Sequence, residues 1–231
     1  MLGVVNLHET GHESGASCTI EVGKDVLEVN RRKAEENRRI FDEHNIRAFD
    51  IMGSIGSGKT TLISRIVEKM GKKKNVSVIA CDLTTSIDSN RIKASGATVI
   101  QINTGKECYV DASQVNKALN KLDLGSVDML FIENVGNLIC PADFPLGTEA
   151  RIVVISTTEG PYTVVKHPYI FQESQVAIIN KKDLAQVMGV PIEQLKRDIQ
   201  RINPAISVVE TNALTGEGVT QLLKTLNIDM E

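Results

Sequence analysis

The chain of 231 residues lacks the features that mark several large classes of protein. No apolar run approaches the ~20 residues that cross a bilayer, so no membrane partner is expected. The formal net charge is −3, which gives no reason to expect binding to nucleic acid or to an anionic membrane surface. The N-terminus has no basic segment followed by an apolar one, as a signal peptide would. These absences favour a cytoplasmic protein.

Cysteine is scarce, with four residues at Cys18, Cys81, Cys108 and Cys140. They are too few and too scattered for a disulfide framework, and a reducing compartment is expected. A single cysteine in such a protein is most often a small, buried, apolar residue. Two of them, however, stand in polar segments, Cys108 in "KECYVD" and Cys140 in "NLICPADF". These two segments raise the question of a chemical role.

The residues that are present suit one α/β domain with a real core. Hydrophobic residues make up 42% and charged residues 24%, as in ordinary soluble domains. Seven short, nearly continuous apolar runs are typical of strands that are covered on both faces. They are "IRAFDIMGS", "NVSVIACD", "ATVIQIN", "VDMLFIEN", "RIVVISTT", "SQVAIINK" and "AISVVET", with helical segments between them. This alternation predicts a mostly parallel sheet of about seven strands with helices on both faces.

The first 45 residues differ from the rest in composition and in the pattern of apolar residues. Residues 1–23 are rich in Gly, Ser and Thr and lack periodicity, which predicts a flexible N-terminal tail. Residues 24–45 are heavily charged with a thin apolar stripe, which predicts a surface helix that precedes the core. The chain is therefore divided into a tail and a single domain over residues 24–231.

The tail contains "HETGH", which fits the letters H-E-x-x-H of zinc proteases. That chemistry needs a helix to bring His8 and His12 to one face, and Thr10 and Gly11 are poor helix formers. A protease is therefore disfavoured. A solvated tail is the favoured interpretation, and a weak accessory metal site using His8, His12 and Cys18 is the alternative.

The segment "GSIGSGKT", Gly53 to Thr60, matches the P-loop pattern G-x-x-x-x-G-K-S/T. It follows a predicted strand and precedes the amphipathic "TLISRIVEKM", which is the context that the motif needs. Glycines let backbone N–H groups curl around phosphate oxygens, and Lys59 can reach the β- and γ-phosphates. The fold class is therefore a P-loop NTPase, with nucleotide contacts predicted at Gly53, Ser54, Gly56, Ser57, Gly58, Lys59, Thr60 and Thr61.

Acidic residues at two strand ends are expected to help Thr60 hold Mg²⁺. Asp82 ends "VSVIACD" and Glu133 ends "VDMLFIE", so a parallel sheet carries both to its ligand-binding edge. The alternative for each is a strand-terminal carboxylate that faces solvent. Asp88, in the polar loop "TTSIDSN", either faces Mg²⁺ or water or caps a helix. Lys59, Asp82 and Glu133 form the predicted catalytic set.

Two later segments indicate which base is bound. "NKKD", Asn180 to Asp183, follows a predicted strand and resembles the N-K-x-D motif of GTPases. The Asp183 carboxylate can accept from N1–H and the exocyclic amine of guanine, a donor pair that adenine lacks. The Lys181 stem can lie along the ring, and Asn180 can brace the loop. In "TNALTG", Ala213 is expected to offer its backbone N–H to guanine O6.

The order of P-loop, "CDLTTSID", "NTGKEC", "IENVGNLICPADF", "TTEG", "KHP" and "NKKD" resembles the HypB family, over roughly residues 25–228. These GTPases assist nickel insertion into [NiFe]-hydrogenase. The resemblance implies a GTP-dependent homodimer in which Cys108 and Cys140 lie near the interface and bind Zn²⁺ or Ni²⁺. It also implies a partner, either the hydrogenase large subunit or a companion nickel maturation protein.

The chain departs from the family around the cysteines. Tyr109 stands where His is usual after the first cysteine, and further departures are Cys81, Ser113, Lys117, Pro161 and Tyr162. Two cysteines per subunit still supply four thiolates across a two-fold axis, enough for a tetrahedral soft-metal site, or they form an oxidisable pair. Without an imidazole at Tyr109, weaker nickel binding and a preference for Zn²⁺ are expected. The helix after Asp111 is expected to lower the thiol pKa of Cys108.

Three functions remain open on the sequence. The leading one is a GTPase that acts as a metallochaperone switch. The second is a regulatory GTP-binding dimerisation module with reduced or lost metal function, which the loss of histidine at Tyr109 favours. The third is a P-loop kinase or other ATP-using enzyme, which "NKKD" disfavours. No arginine finger or catalytic glutamine is evident, so intrinsic turnover is expected to be slow.

Overall fold

The computed structural model describes residues 22–71, 73–82, 87–105 and 107–229, with side chains from residue 25 onward and Asp82 by its backbone alone. Seven strands form one parallel sheet in the order β3-β2-β4-β1-β5-β6-β7, which confirms the predicted α/β class. The strands are β1 Arg47–Gly53, β2 Val76–Asp82, β3 Thr98–Asn103, β4 Met129–Glu133, β5 Ala150–Ser156, β6 Val176–Asn180 and β7 Ser207–Glu210.

Eight α-helices lie within the described ranges, and six of them connect strands. They are α1 Val22–Glu43, α2 Lys59–Met70, α3 Ile87–Ala94, α4 Ala112–Leu119, α5 Thr163–Lys166, α6 Pro168–Gln172, α7 Ile192–Ile202 and α8 Val219–Thr225. None of these helices is long and apolar enough to cross a membrane.

Apolar side chains cover both faces of the sheet. On one face, α2 and α8 pack over Phe49 and Ile51 of β1. On the other face there are two separate clusters, one with α4 around Ala48 and one with α7 around Met52. Asp50 of β1 lies between these two clusters and is fully buried. The strands are therefore largely apolar on both faces, and Asp50 is one of the few charged side chains buried within them.

The predicted surface helix is α1, and it is anchored by two buried asparagines. Asn30 donates to the carbonyl oxygen of Pro145 at 2.9 Å and accepts from the N–H of Ala112 at 2.8 Å. Asn37 donates to the carbonyl oxygen of Ala112 at 2.8 Å. These bonds attach α1 to the start of α4, so the thin apolar stripe is supplemented by specific polar contacts.

Two helix starts test the local predictions. The sequence "DASQ", Asp111 to Gln114, has the spacing of a capping box, and α4 begins with one, because Asp111 accepts from Gln114 N and the Gln114 side chain accepts from Asp111 N. The placement of Asp88 in a polar loop is wrong, because α3 begins at Ile87 and Asp88 lies in its first turn. Asp88 is therefore neither a loop residue nor the helix cap.

The position of β1 between β4 and β5 creates the crevice in which open α/β sheets bind ligands. The chain leaves β1 toward β2 on one side of it and later reaches β5 on the other. The phosphate loop follows β1 directly, and the carboxyl ends of β4 and β6 lie at the same edge. The fold therefore gathers the predicted phosphate, cation and base segments.

Candidate nucleotide and metal site

The phosphate loop lies between β1 and α2, where two glycines adopt backbone conformations that other residues rarely adopt. The φ angles of Gly53 and Gly58 are 146° and 102°. A Cβ on Gly53 would lie 2.2 Å from the carbonyl oxygen of Val154, and one on Gly58 would lie 2.2 Å from Nδ2 of Asn180. Larger side chains would push β5 or the predicted base-binding loop away from the phosphate loop.

Lys59 is buried at the start of α2. Its Nζ donates to the carbonyl oxygens of Gly53, at 3.0 Å, and Ser54, at 2.9 Å. Burial lowers the pKa of its ammonium group, and the Glu133 carboxylate partly opposes this. The hydroxyls of Ser54 and Ser57 are buried without a partner among the described residues. A buried cation beside unpaired hydroxyls fits an anionic phosphate.

Glu133, the last residue of β4, contacts Thr60 of α2. The Thr60 hydroxyl donates to Oε1 at 2.5 Å, and Oε2 is buried without a partner in the described part of the chain. Burial raises the pKa of Glu133 to about 7, although Thr60 and Lys59 favour its carboxylate form. A buried carboxyl group with one unpaired oxygen beside a threonine hydroxyl fits a hard cation such as Mg²⁺. The backbone of Asp82 ends β2 at the same edge.

A cleft of about 460 Å³ opens beside the phosphate loop. Arg91 of α3 lines it, although no sequence motif singles this residue out. It donates to the Thr61 hydroxyl at 3.0 Å and pairs with Asp88 at 3.5 Å. The i,i+3 spacing of Asp88 and Arg91 could have indicated a shared helix face. The predicted residues that line this cleft are Gly56, Gly58, Lys59, Thr60, Thr61, Asp88, Glu133 and Lys181.

Asn180, at the end of β6, holds the predicted base-binding loops against the phosphate loop. Its Nδ2 donates to the carbonyl oxygen of Ser57 at 2.8 Å, as its predicted bracing role requires. Its Oδ1 accepts from the Thr211 hydroxyl at 2.9 Å and from the N–H of Ala213 at 3.0 Å. The Ala213 N–H, which is predicted to reach guanine O6, is therefore hydrogen-bonded to buried Asn180 in this structure, and its contact with guanine stays a prediction.

The remaining residues predicted to bind the base are more exposed. Lys181 has a left-handed backbone, with φ 57°, and its carbonyl accepts from the Thr157 hydroxyl at 2.7 Å. Asp183 lies in a 3-10 turn over Lys182–Leu184 and is exposed. Its carboxylate is therefore accessible to a ligand without desolvating the core.

The two cysteines in polar segments come together. Cys108 lies between β3 and α4, and Cys140 opens a 3-10 turn over Cys140–Asp143. Their sulfurs are 2.7 Å apart and both thiols are free. No group of three or more metal-ligating side chains occurs among the residues with described side chains. A single chain thus provides two adjacent sulfur ligands at this point.

The predicted lowering of the Cys108 pKa is wrong. The hydrogen bond with the Cys140 thiol raises the pKa of Cys108, and partial burial acts in the same direction. Cys108 lies outside α4, which begins at Ala112, so the neighbouring sulfur outweighs the helix terminus.

Tyr109 stacks on an aromatic neighbour instead of joining the thiol pair. Its ring centroid lies 3.7 Å from that of Phe144, with an interplanar angle of 13°. The two rings and α1, through Val26 and Val29, line a groove of about 250 Å³. The residue in the usual histidine position therefore serves packing in this chain.

A buried polar network behind the thiol pair is not indicated by any motif. Asp50 accepts from Nδ2 of Asn134 at 3.1 Å and pairs with Nε of Arg151 at 3.6 Å. Arg151 also donates to the carbonyl oxygens of Pro141 and Ala142, at 3.0 Å for Ala142. Charged residues inside the apolar runs "IRAFDIMGS" and "ARIVVIS" are the signal that could have revealed the pair.

The tail residues His8, His12 and Cys18 lie outside the described residues. Both interpretations of "HETGH", a protease and an accessory metal site, therefore stay sequence-based alternatives.

Comparisons with known proteins show the family of the chain. The CobW/HypB/UreG nucleotide-binding domain model matches residues 48–210. A probable hydrogenase maturation factor HypB from Methanocaldococcus jannaschii is 47% identical over 89% of this chain and 93% of its own length. The hydrogenase maturation factor HypB of Escherichia coli K12 is 38% identical over 97% of this chain and 77% of its own length.

Solved structures give the same relationship. The Archaeoglobus fulgidus hydrogenase maturation factor HypB has a TM-score of 0.81 at 40% identity, covering 87% of this chain and 98% of that one. HypB from Helicobacter pylori, solved in complex with nickel, has a TM-score of 0.82 at 31% identity, covering 86% and 94%. A LAO/AO transport system kinase, at 15% identity and a TM-score of 0.57, shares the fold. The chain therefore belongs to the CobW/HypB/UreG nucleotide-binding family and, within it, to the HypB hydrogenase maturation factors.

Proposed function

We propose that this chain is a GTP-hydrolysing metallochaperone that assists nickel insertion into [NiFe]-hydrogenase as a nucleotide-switched homodimer. The observation that carries the proposal is the short path from the nucleotide cleft to the thiol pair. Glu133, which contacts Thr60, and Cys140, which meets Cys108, belong to one continuous segment of eight residues. A change at the phosphate site can therefore reach the sulfurs through one piece of backbone.

In the proposed phosphate site, separate groups bind the phosphates and the cation. Lys59 and the phosphate-loop N–H groups bind the β- and γ-phosphates, and the Ser54 and Ser57 hydroxyls lie in the same loop. Thr60 and Glu133, with Asp82 and Asp88 as further candidates, hold Mg²⁺. This cation would neutralise charge on the phosphate oxygens. Glu133, with a pKa of about 7 in the nucleotide-free state, is ionised when a cation binds its free oxygen.

The base half assigns Asp183 to guanine. Its exposed carboxylate accepts from N1–H and the exocyclic amine, while Lys181 lies along the ring and Asn180 keeps both loops in place. With the N–H of Ala213 engaged by Asn180, O6 either displaces that bond or takes another donor. ATP leaves the carboxylate without its donor pair, so GTP is the substrate.

The metal half requires two copies of the chain. One chain contributes two thiols, and a tetrahedral soft-metal site needs four ligands. Exposed apolar side chains at Val26, Val29 and Ile139 belong to the same region and support contact with a second copy. The cargo is Zn²⁺ or Ni²⁺, and the absence of an imidazole at Tyr109 favours Zn²⁺. The recipient is the hydrogenase large subunit or a companion nickel maturation protein.

The alternative is a regulatory GTP-binding dimerisation module with reduced or lost metal function. The stack of Tyr109 on Phe144 favours it, because packing occupies the position at which relatives place a ligand. In this alternative the chain still binds GTP and forms a dimer, but it does not bind a metal ion at the thiol pair.

Calorimetry on the full chain separates the two functions. The metal proposal predicts that Cys108→Ser and Cys140→Ser each abolish binding of Zn²⁺ to the GTP-loaded protein and leave GTP affinity unchanged. Ser113→Ala, on the adjoining helix, serves as the matched control. Zn²⁺ binding equal to wild type in both cysteine variants would support the regulatory module instead. Equal competition by ATP and GTP in the wild type would refute the guanine assignment.

A further inference from the structure

Asn137 occupies the middle of the segment that connects the nucleotide cleft to the thiol pair. It lies four residues after Glu133 and three before Cys140. No motif assigns it a role, and its side chain is only partly exposed. Its backbone and its side chain make contacts in opposite directions.

The backbone of Asn137 is bonded to the phosphate loop. Its N–H donates to the carbonyl oxygen of Gly53 at 3.0 Å, and the two residues form an antiparallel bridge. The same carbonyl oxygen accepts from Nζ of Lys59 at 3.0 Å. The neighbouring Gly136 packs so closely on the loop that a Cβ there would lie 2.4 Å from Cγ1 of Ile55. Asn137 thus shares an acceptor with the phosphate-binding lysine.

The side chain of Asn137 is bonded to the backbone beside both cysteines. Its Nδ2 donates to the carbonyl oxygen of Cys108 at 3.3 Å. Its Oδ1 accepts from the N–H of Ile139, the residue before Cys140, at 2.9 Å. The second bond alone is an ordinary local turn. The first bond spans 29 residues of sequence and joins two separate loops.

We propose that Asn137 is a positioning residue that sets the separation of the Cys108 and Cys140 sulfurs and reports the state of the phosphate loop to them. The Gly53 carbonyl oxygen accepts one hydrogen bond from Lys59 and one from Asn137. When phosphate draws Lys59 away, only the hydrogen bond from the Asn137 N–H remains. The side-chain bonds pass the resulting shift to both thiol loops. The nucleotide part of this inference rests on the proposed function, whereas the positioning part does not.

Phenylarsine oxide is a suitable probe, because its arsenic binds two neighbouring thiols and releases one water. Its affinity for the full-length reduced chain, in competition with a small dithiol, measures how well the two sulfurs are held together. Asn137→Ala is expected to weaken arsenical binding about tenfold, since it removes two hydrogen bonds. Asn137→Asp keeps the acceptor for Ile139 and loses the donor to Cys108, so an intermediate loss of about threefold is expected.

The controls make a failure interpretable. Asn120→Ala, after α4 and on the surface, is expected to match wild type, and Cys108→Ser defines the signal without a pair. Thermal unfolding and affinity for a non-hydrolysable GTP analogue, measured on each variant, establish that the fold and the cleft are intact. If Asn137→Ala does not fold, the isosteric Asn137→Asp provides the comparison.

Two results would overturn the inference. Wild-type arsenical affinity in both folded Asn137 variants would remove the positioning role. The GTP analogue is expected to change arsenical affinity several-fold in wild type and not in Asn137→Ala, and an equal change in both proteins would remove the reporting role. Failure of the analogue to bind wild type would instead refute the proposed nucleotide function, with the nucleotide-free comparison of variants still deciding the positioning role.

Discussion

At the scale of single residues, Lys59 and Glu133 are two charged groups of the cleft whose pKa values are shifted by burial. Lys59 donates to two carbonyl oxygens of its own loop, and burial lowers the pKa of its ammonium group. Glu133 has a pKa of about 7, with one oxygen bonded to Thr60 and the other without a described partner. Under the proposed function, both groups gain charge partners when phosphate and a cation arrive, so each of these ligands is expected to favour binding of the other.

Replacement of Lys59 tests the phosphate assignment. Lys59→Ala is expected to lower GTP turnover by about 10²–10³-fold, because it removes the cation closest to the transferring phosphate. The fold is expected to persist, since the partners of Nζ within the described part of the chain are loop carbonyl oxygens. Single-turnover hydrolysis and thermal unfolding measure both quantities, with exposed Lys69→Ala as control. Turnover within twofold of wild type would refute the P-loop assignment.

Asp183 tests the base assignment. Asp183→Asn is expected to weaken GTP binding about 100-fold, because an amide cannot accept both guanine donors as the carboxylate does. The same variant is expected to gain affinity for xanthosine triphosphate, whose 2-carbonyl accepts from the new amide. Competition with a fluorescent guanine nucleotide measures both, and exposed Asp123→Asn is the matched control. A parallel loss for both nucleotides would indicate a structural role for Asp183.

At the scale of elements, β1 and β5 are joined by a buried ion pair as well as by their ladder. Asp50 and Arg151 are register partners in adjacent strands. Burial raises the pKa of Asp50, whereas the guanidinium and the Asn134 amide favour its charged form. Arg151 also binds the carbonyl oxygens of the turn that begins at Cys140. The pair therefore connects the central strands to the loop that carries one of the thiols.

Removal of one partner tests how much this pair stabilises the fold. Arg151→Met is expected to lower the free energy of unfolding by about 3–5 kcal/mol, because it leaves Asp50 as an uncompensated buried charge. Asp50→Asn combined with Arg151→Met is expected to recover part of that loss, since Asn134 keeps its acceptor. Urea unfolding measures both, with exposed Arg197→Met as control. A loss below about 1 kcal/mol in the single variant would show that the pair is not important for stability.

Local patterns predict the elements well and the contacts between them poorly. The seven strands follow from apolar runs, and the start of α4 follows from Asp111 and Gln114 at capping-box spacing. The error at Asp88 concerns a helix boundary, whereas the unforeseen contacts at Cys108 and Ala213 involve partners that are distant in sequence. The Cys108 pKa depends on Cys140, and the N–H of Ala213 is taken by Asn180. Helix α3 has no clear amphipathic pattern, so periodicity could not reveal it.

In the candidate site too, features within one stretch of sequence can be predicted, and contacts between distant stretches cannot. The phosphate loop is a contiguous motif whose chemistry needs a glycine turn, a lysine and a threonine, so it can be predicted from one stretch. The Asp50–Arg151 pair and the contacts of Asn137 depend on strand order and loop packing, which no single stretch contains. The adjacency of Cys108 and Cys140 could be predicted only from the family resemblance. In the structure their sulfur atoms are 2.7 Å apart.

At the scale of the whole molecule, one segment of the chain joins the nucleotide cleft to the thiol pair, and the proposed metal site is incomplete in one chain. Each chain supplies two sulfurs, and no third ligand lies with them among the described side chains. A closed four-ligand site therefore requires a two-fold pair of chains. Under the proposed function, metal binding, dimerisation and nucleotide binding are linked equilibria, and each is expected to strengthen the others by about 1–3 kcal/mol.

The most direct test of this account is a Zn²⁺ titration of the purified chain, with and without a non-hydrolysable GTP analogue, followed by native mass spectrometry. The account predicts a dimer that carries one Zn²⁺ per two chains and forms at several-fold lower protein concentration when the analogue is bound. Ni²⁺ is expected to give the same species more weakly. A monomer that binds no metal in either nucleotide state, or a dimer whose metal content is unaffected by the analogue, would contradict it.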